Sequence, residues 1–305
     1  MHSVKELGVS KYFGRLGFLL LMVALGLFGS ARLPSAHAQA LLPYAPEPDS
    51  EQLQNEGLKL AQDALQLYGF RQYDSALPRA ELSTQLAPDF FETWFILGNL
   101  YLQREASEDA IAALQKAQQR APENPGVAFT LGEAYFQQGD YTEAVEQLKS
   151  GLDNKPEDIT GLFNLGNAYL KLEDYDQAVD IYKQAFKIQS DFWPAINNIG
   201  LVRYEQGRTK AAINQWRKAL SIDSQQAEPL LAVAVALYKQ GQEAEGLALG
   251  ESALSLDAQY GELEYLDKNL WGAQLLVDAE VFLNLPQIQR VLGRLEEDLD
   301  PIEQP

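Results

Sequence analysis

The pairs Leu97-Gly98, Leu131-Gly132, Leu165-Gly166 and Ile199-Gly200 recur at intervals of 34 residues, and Val233-Ala234 continues in the same phase. A fixed period without insertions means that one local unit is reused. Units of this length bury their apolar faces only by stacking on copies of themselves. With the small residue counted as the eighth of each unit, six units run 57–90, 91–124, 125–158, 159–192, 193–226 and 227–260. The twentieth position is Ala76, Ala110, Ala144, Ala178, Ala212 and Gly246, and the twenty-seventh is Ser83, Ala117, Gly151, Ala185, Ala219 and Ala253. Small side chains at a fixed phase mark places where two helices approach closely.

Within one unit the spacing predicts two helices. Trp94, Leu97, Gly98 and Tyr101 fall at i, i+3, i+4 and i+7 and form one stripe; Ala110, Leu114 and Ala117 form a second. Gln138-Gly139-Asp140, Glu205-Gln206-Gly207 and Gln240-Gly241-Gln242 read as the turns between stripes, and Pro88, Pro122 and Pro156 stop the second helix. The expected fold class is all-α.

Composition narrows the function. The 305 residues contain no cysteine and two histidines, His2 and His37. From Gln39 onward, thiolate nucleophiles, Cys/His zinc sites, haem ligation by histidine and Ser-His-Asp catalysis therefore lack their residues. The 43 acidic against 24 basic side chains, a net charge of −19, argue against a nucleic-acid partner. No Gly-rich phosphate loop is present, and Glu173, Asp174 and Asp176 lack the order of an EF-hand and fall in an interhelical turn. The chain is expected to be no enzyme and to use no metal and no cofactor.

Lys5, Lys11 and Arg15 precede the apolar run Phe18–Phe28, and Ala36-His37-Ala38 offers small residues at −3 and −1 of a cleavage site. The run has 11 residues, short of the roughly 20 that cross a bilayer. Residues 1–38 read as a signal peptide, with an uncleaved anchor as the alternative; in that case residues 16–29 would tie the chain to a membrane. The basic residues ahead of the run place the body outside the cytoplasm on either reading, in a periplasm or thylakoid lumen. Residues 39–56 hold a linker with three prolines between Ala40 and Asp49, then the start of the first helix.

These motifs, above all FNLGNAYLKLEDYDQAVDIYKQAF from Phe163 to Phe186, resemble the tetratricopeptide repeat (TPR). The resemblance implies a right-handed superhelical solenoid of about six antiparallel helix pairs whose first helices line a concave groove. It covers residues 57–260, with weaker agreement at repeat 1 (Asp63-Ala64 in place of Leu-Gly) and repeat 6 (Gly246 and Gly250). Residues 261–305 are then expected to supply capping helices and an acidic tail. Trp271, Leu275, Val277 and Phe282 would lie on the face that covers repeat 6, a short helix would run from Pro286 to Leu295, and the tail would begin at Glu296. Of the tryptophans, Trp216 and Trp271 are expected in the core, and a ligand patch with Trp193 is the weaker reading.

The groove positions implied by the resemblance carry Phe95, Phe129 and Phe163 in one row, Asn99, Glu133 and Asn167 in the next, and Leu102, Phe136 and Leu170 beyond; repeat 5 has Asn197 and Leu201. Phe95, Asn99, Phe129, Glu133, Phe136, Phe163, Asn167 and Asn197 are the candidate partner-binding residues. They suggest an apolar floor with amide rims that could hold a segment of another protein. Phenylalanine and asparagine at these positions are also common family filler. Chaperone-binding TPR domains grip a C-terminal carboxylate with Lys and Arg where this chain has Phe95, Phe129 and Asn197, so that mode is not expected.

The leading expectation is a non-catalytic scaffold, exported or membrane-anchored, that assists assembly or maintenance of a membrane or envelope complex. The alternatives are a periplasmic ligand- or glycan-binding solenoid and an accessory domain that docks through residues 261–305. Residues Ala76–Gln103 also resemble early repeats of TPR proteins of cyanobacterial and plastid photosynthetic membranes, including one that interacts with protochlorophyllide oxidoreductase. That enzyme faces the cytoplasmic or stromal side, so this likeness and the export reading exclude one another.

Overall fold

A computed structural model describes residues 49–299, with side chains described to residue 295. The signal or anchor segment, the cleavage site and most of the linker lie outside the described residues. The described residues belong to one compact unit. Twelve α-helices follow one another in pairs: α1 (Ser50–Gly69) with α2 (Tyr73–Leu86), α3 (Phe91–Gln103) with α4 (Ser107–Arg120), α5 (Pro125–Gln138) with α6 (Tyr141–Asn154), α7 (Ile159–Lys171) with α8 (Tyr175–Ile188), α9 (Trp193–Glu205) with α10 (Thr209–Ile222), and α11 (Ala227–Lys239) with α12 (Glu243–Leu256). From α3 onward every first helix starts 34 residues after the last. The outlier is α1, which begins at Ser50, seven residues ahead of Gly57, because the Asp49 carboxylate accepts from the N–H groups of Glu51 and Gln52 and caps it there.

The same turn closes each pair. The amide two or three residues past the end of the first helix donates back five residues, as Gln72 to Leu67, Ala106 to Tyr101, Asp140 to Tyr135, Asp174 to Tyr169, Arg208 to Arg203 and Gln242 to Leu237. This six-to-one bond requires a left-handed residue just before it. Gly139, Gly207 and Gly241 provide that conformation without cost, at φ 88°, 71° and 82°, whereas Arg71, Glu105 and Glu173 are forced into it at 57–58°.

Packing within a pair rests on one reciprocal fit. A Cβ on Gly98 would overlap Leu114, on Gly132 Leu148, on Gly166 Tyr182 and on Gly200 Trp216. The glycine of the first helix is thus the socket for the residue sixteen positions later on the second, and the plug grows from Leu to Tyr to Trp along the chain. Tyr182 and Trp216 are fully buried. The first helices of repeats 1 to 5 also touch in series, α1 with α3, α3 with α5, α5 with α7 and α7 with α9. Among the described residues the second helices make no comparable contact, so the first helices form the inner wall of a curved stack.

The C-terminal region departs from expectation. After a 3-10 turn (Ala258–Gly261) come α13 (Leu263–Lys268), α14 (Ala273–Leu283) and α15 (Pro286–Leu299). Of the four residues expected on the covering face, Trp271, Leu275 and Phe282 are buried, Trp271 in the break that follows Leu270 at φ 67°, whereas Val277 is exposed. It is α15 that lies on α12, the outer helix of repeat 6, whereas α14 packs on α11 and α9. The cause lies in repeat 6, where the plug position is Gly250. Its vacancy is filled by Phe282 of α14, which also stacks edge-on against Tyr238 at 5.6 Å. The helix of residues 286–299 continues past Leu295 through the acidic residues expected to form a tail.

Candidate functional site

The inner wall contains a recess of about 260 Å³ between repeats 3 and 4, lined by Gly132, Glu133, Phe136, Gln137, Leu148, Asn164 and Asn167. Three of the expected residues, Glu133, Phe136 and Asn167, are brought together here. Phe136 leans on Tyr141 at 5.1 Å, which holds its ring at the rim. The Glu133 side chain is open to solvent. The surrounding protein nonetheless desolvates its carboxyl and raises its pKa above the ordinary value. Its charge in turn contributes to the raised pKa of Tyr68 on α1, after burial and the neighbouring Tyr73.

The phenylalanine row is not a groove floor. Phe129 wedges between α6 and α7, where a Cβ on Gly151 or Gly161 would overlap its ring. Phe163 meets Phe192 edge-on at 5.3 Å and Tyr182 at 5.9 Å. Phe95 packs against the cluster of Ala110, Leu114 and Leu131. Their position faces the crevice between a repeat's second helix and the next first helix, so all three are half-buried packing residues. Asn99 donates to the Phe95 carbonyl at 2.8 Å and turns its amide back onto its own helix.

Asn197 is also corrected. It is 1% exposed and cannot line an open surface. It belongs to a polar chain inside the wall: Tyr182 Oη donates to Asn167 Oδ1 at 2.8 Å, Asn198 Nδ2 to the same oxygen at 2.9 Å, and Asn197 Nδ2 to Asn198 Oδ1 at 3.1 Å. Trp216 Nε1 donates to the Asn197 carbonyl at 3.1 Å. Asn167 is the end of this chain that reaches the recess, and its amide is oriented by two donors. Asn164, Asn198 and Gln137 were absent from the sequence-derived set. The signal for the first two was the shared sixth position of repeats 4 and 5.

Beyond Asn197 the inner wall is covered by the chain itself. Glu205, at the end of α9, accepts from the amides of Gln274 and Leu275 at 3.1 and 3.0 Å and so caps α14. A Cβ on Gly272 would overlap the Glu205 side chain, which explains the glycine there. Asp278 accepts from Tyr204 Oη at 2.7 Å and pairs with Lys239 at 2.5 Å. Trp271 is buried and donates through Nε1 to Glu228 at 3.3 Å. Burial pushes the Glu228 carboxyl up to about 7 against the opposing effects of Asn197 and Trp271. Repeats 5 and 6 therefore present a filled inner face; the same segment reaches repeat 4 through Asp267, paired with Lys171 at 3.9 Å, and through Leu270, and the recess around Glu133 beside them stays open.

Among the described residues no group of His, Cys, Asp and Glu side chains is placed to hold a metal ion, and no helix is long and apolar enough to cross a membrane.

The sequence of residues 50–191 matches the family model described as the cytochrome c-type biogenesis protein H TPR domain, and residues 200–241 match a TPR repeat model. The protein is a tetratricopeptide repeat solenoid. Among solved structures it is similar to Pseudomonas aeruginosa PilF, with 16% identity over 72% of this chain and 98% of that one, at a TM-score of 0.57. It is similar to YrrB, described as a TPR protein with an unusual peptide-binding site, with 18% identity over 59% of this chain and 93% of that one, at a TM-score of 0.52. It is also similar to MamA, with 22% identity over 57% and 92%, at a TM-score of 0.50. These likenesses concern the fold. No curated protein matches the chain in sequence.

Proposed function

We propose that the chain is a non-catalytic scaffold that binds another protein on the inner face of repeats 2 to 4 and assists assembly or maintenance of a membrane or envelope complex outside the cytoplasm. The observation that carries this reading is the contrast along the inner wall. Repeats 5 and 6 bury theirs under α14, while the recess around Glu133, Phe136 and Asn167 stays uncovered, with apolar walls and amides in one place. The matched model's description, cytochrome c-type biogenesis, names an assembly task, and the neighbour YrrB is described as peptide-binding. The export part of the reading is supported by the basic, apolar and Ala36-His37-Ala38 pattern of the first 38 residues.

A photo-crosslinking residue at Gln137, in the recess, and another at Glu146, exposed on α6, test the reading in native membranes. One protein is expected to be captured at Gln137 and not at Glu146. Capture at Glu146 alone would move recognition to the outer face, and capture of no protein at either site would return the ligand- or glycan-binding alternative. The intact mass of the native protein is expected to begin at Gln39; a full-length species would replace cleavage with anchoring.

A further inference from the structure

We infer that the recess is a receptor for one basic side chain, Lys or Arg, of the partner segment, with Glu133 as its counter-charge. The inference rests on the proposal that the inner face binds protein and specifies what it reads there.

Three observations converge. First, Glu133 is a carboxylate without a cation: the ion pairs among the described residues engage other acids, and the two lysines of the neighbouring cavity that shares Phe136 and Gln137 are committed, Lys171 to Asp267 at 3.9 Å and Lys268 to Glu264 at 2.9 Å. Second, the walls suit the two halves of such a side chain. Phe136 and Leu148 offer apolar surface for the methylene stem, and Asn164, Asn167 and Gln137 carry amide oxygens that can accept from an ammonium or guanidinium. The Asn167 oxygen already takes two donors, so Asn164 and Gln137 are the free acceptors. Third, the Glu133 side chain is open to solvent at the recess, so an incoming cation reaches the carboxylate without displacing any part of the protein. The chain's charge of −19 favours a basic partner from a distance as well.

The full-length chain, with Glu133→Gln and Glu133→Lys, is presented with a library of random nonapeptides, and the retained sequences are read at each position. The wild type is expected to enrich peptides with Lys or Arg at one fixed position. Such a peptide should lose about tenfold or more in affinity for Glu133→Gln, the size expected for one charged hydrogen-bonded pair, and Glu133→Lys should select Asp or Glu at that position. Because Glu133 is solvent-exposed, unchanged thermal melting of both variants is expected and separates lost recognition from lost folding. Peptides enriched without a basic position, or bound equally by Glu133→Gln, would overturn this inference and leave the scaffold reading standing. Enrichment of nothing by any of the three proteins would overturn both.

Discussion

Glu228 is held by burial as a near-neutral acid, its carboxyl at about 7 against an ordinary 4.5, beneath Trp271 and beside Asn197. The folded state therefore holds this proton more tightly than the unfolded state. Its contribution is fully present below pH 4.5 and is lost as pH rises through about 7, by up to about 3 kcal/mol at 1.36 kcal/mol per unit. Glu228→Gln is expected to flatten that part of the stability curve, which urea titrations at pH 5 and 8 would show; an unchanged pH slope would contradict the assignment. At the turns, Glu173 is strained at φ 57° where other repeats use glycine. Glu173→Gly should raise stability by about 0.5–1 kcal/mol, visible as a higher melting temperature. Gly200→Ala is the opposite case. The new methyl meets the buried Trp216 indole, pinned by the Asn197 carbonyl, and a loss of about 1–3 kcal/mol in denaturant titration is expected. The socket glycines were legible from the period alone, because only a shared close contact repeats a glycine at fixed phase. The strained turns at Arg71, Glu105 and Glu173 were not, since nothing in an Arg or Glu announces a left-handed backbone.

Among the elements, α14 separates what periodicity can show from what it cannot. Period, stripes and turn residues gave the helix pairs, since each stripe and turn is a local pattern. The placement of α14 inside the curve is a tertiary fact, set by the Phe282 side chain entering the space above Gly250 and by Glu205 receiving the first free amides of the helix. Gly250 was visible as a departure, but the sequence offered no means to match it with a residue 32 positions away. The phenylalanine row failed for the same reason: position 5 was read as facing a groove, but Gly151 and Gly161 leave a notch that takes the Phe129 ring, and Phe163 packs on Tyr182 and Phe192. Glu133, Phe136 and Asn167 were legible because their positions face the curve and no neighbouring helix covers them. Glu205→Ala is expected to free the α14 N-terminus. Amide hydrogen exchange at Gln274 and Leu275 should accelerate about tenfold or more, with the amides of α5 and α7 unchanged. Uniform acceleration would mean that α14 and the repeats open together.

At the scale of the whole molecule, a repeat stack distributes its stability over neighbour contacts and leaves a long inner wall for recognition. Here the chain divides that wall, occupying two repeats with its own C-terminal segment and leaving the Glu133 recess open. The absence of cysteine makes the division directly measurable, because single cysteines introduced at Gln137 and at Leu275 would be the only thiols present. Their reaction rates with a polar thiol reagent, in the purified protein and in native membranes, test the central claim. Gln137→Cys is expected to react fast when purified and to become protected in native membranes, where the partner is present, while Leu275→Cys reacts slowly in both. Equal and fast reaction at Leu275→Cys would show that α14 does not cover repeats 5 and 6, and unchanged reactivity of Gln137→Cys in native membranes would show that the recess binds nothing there.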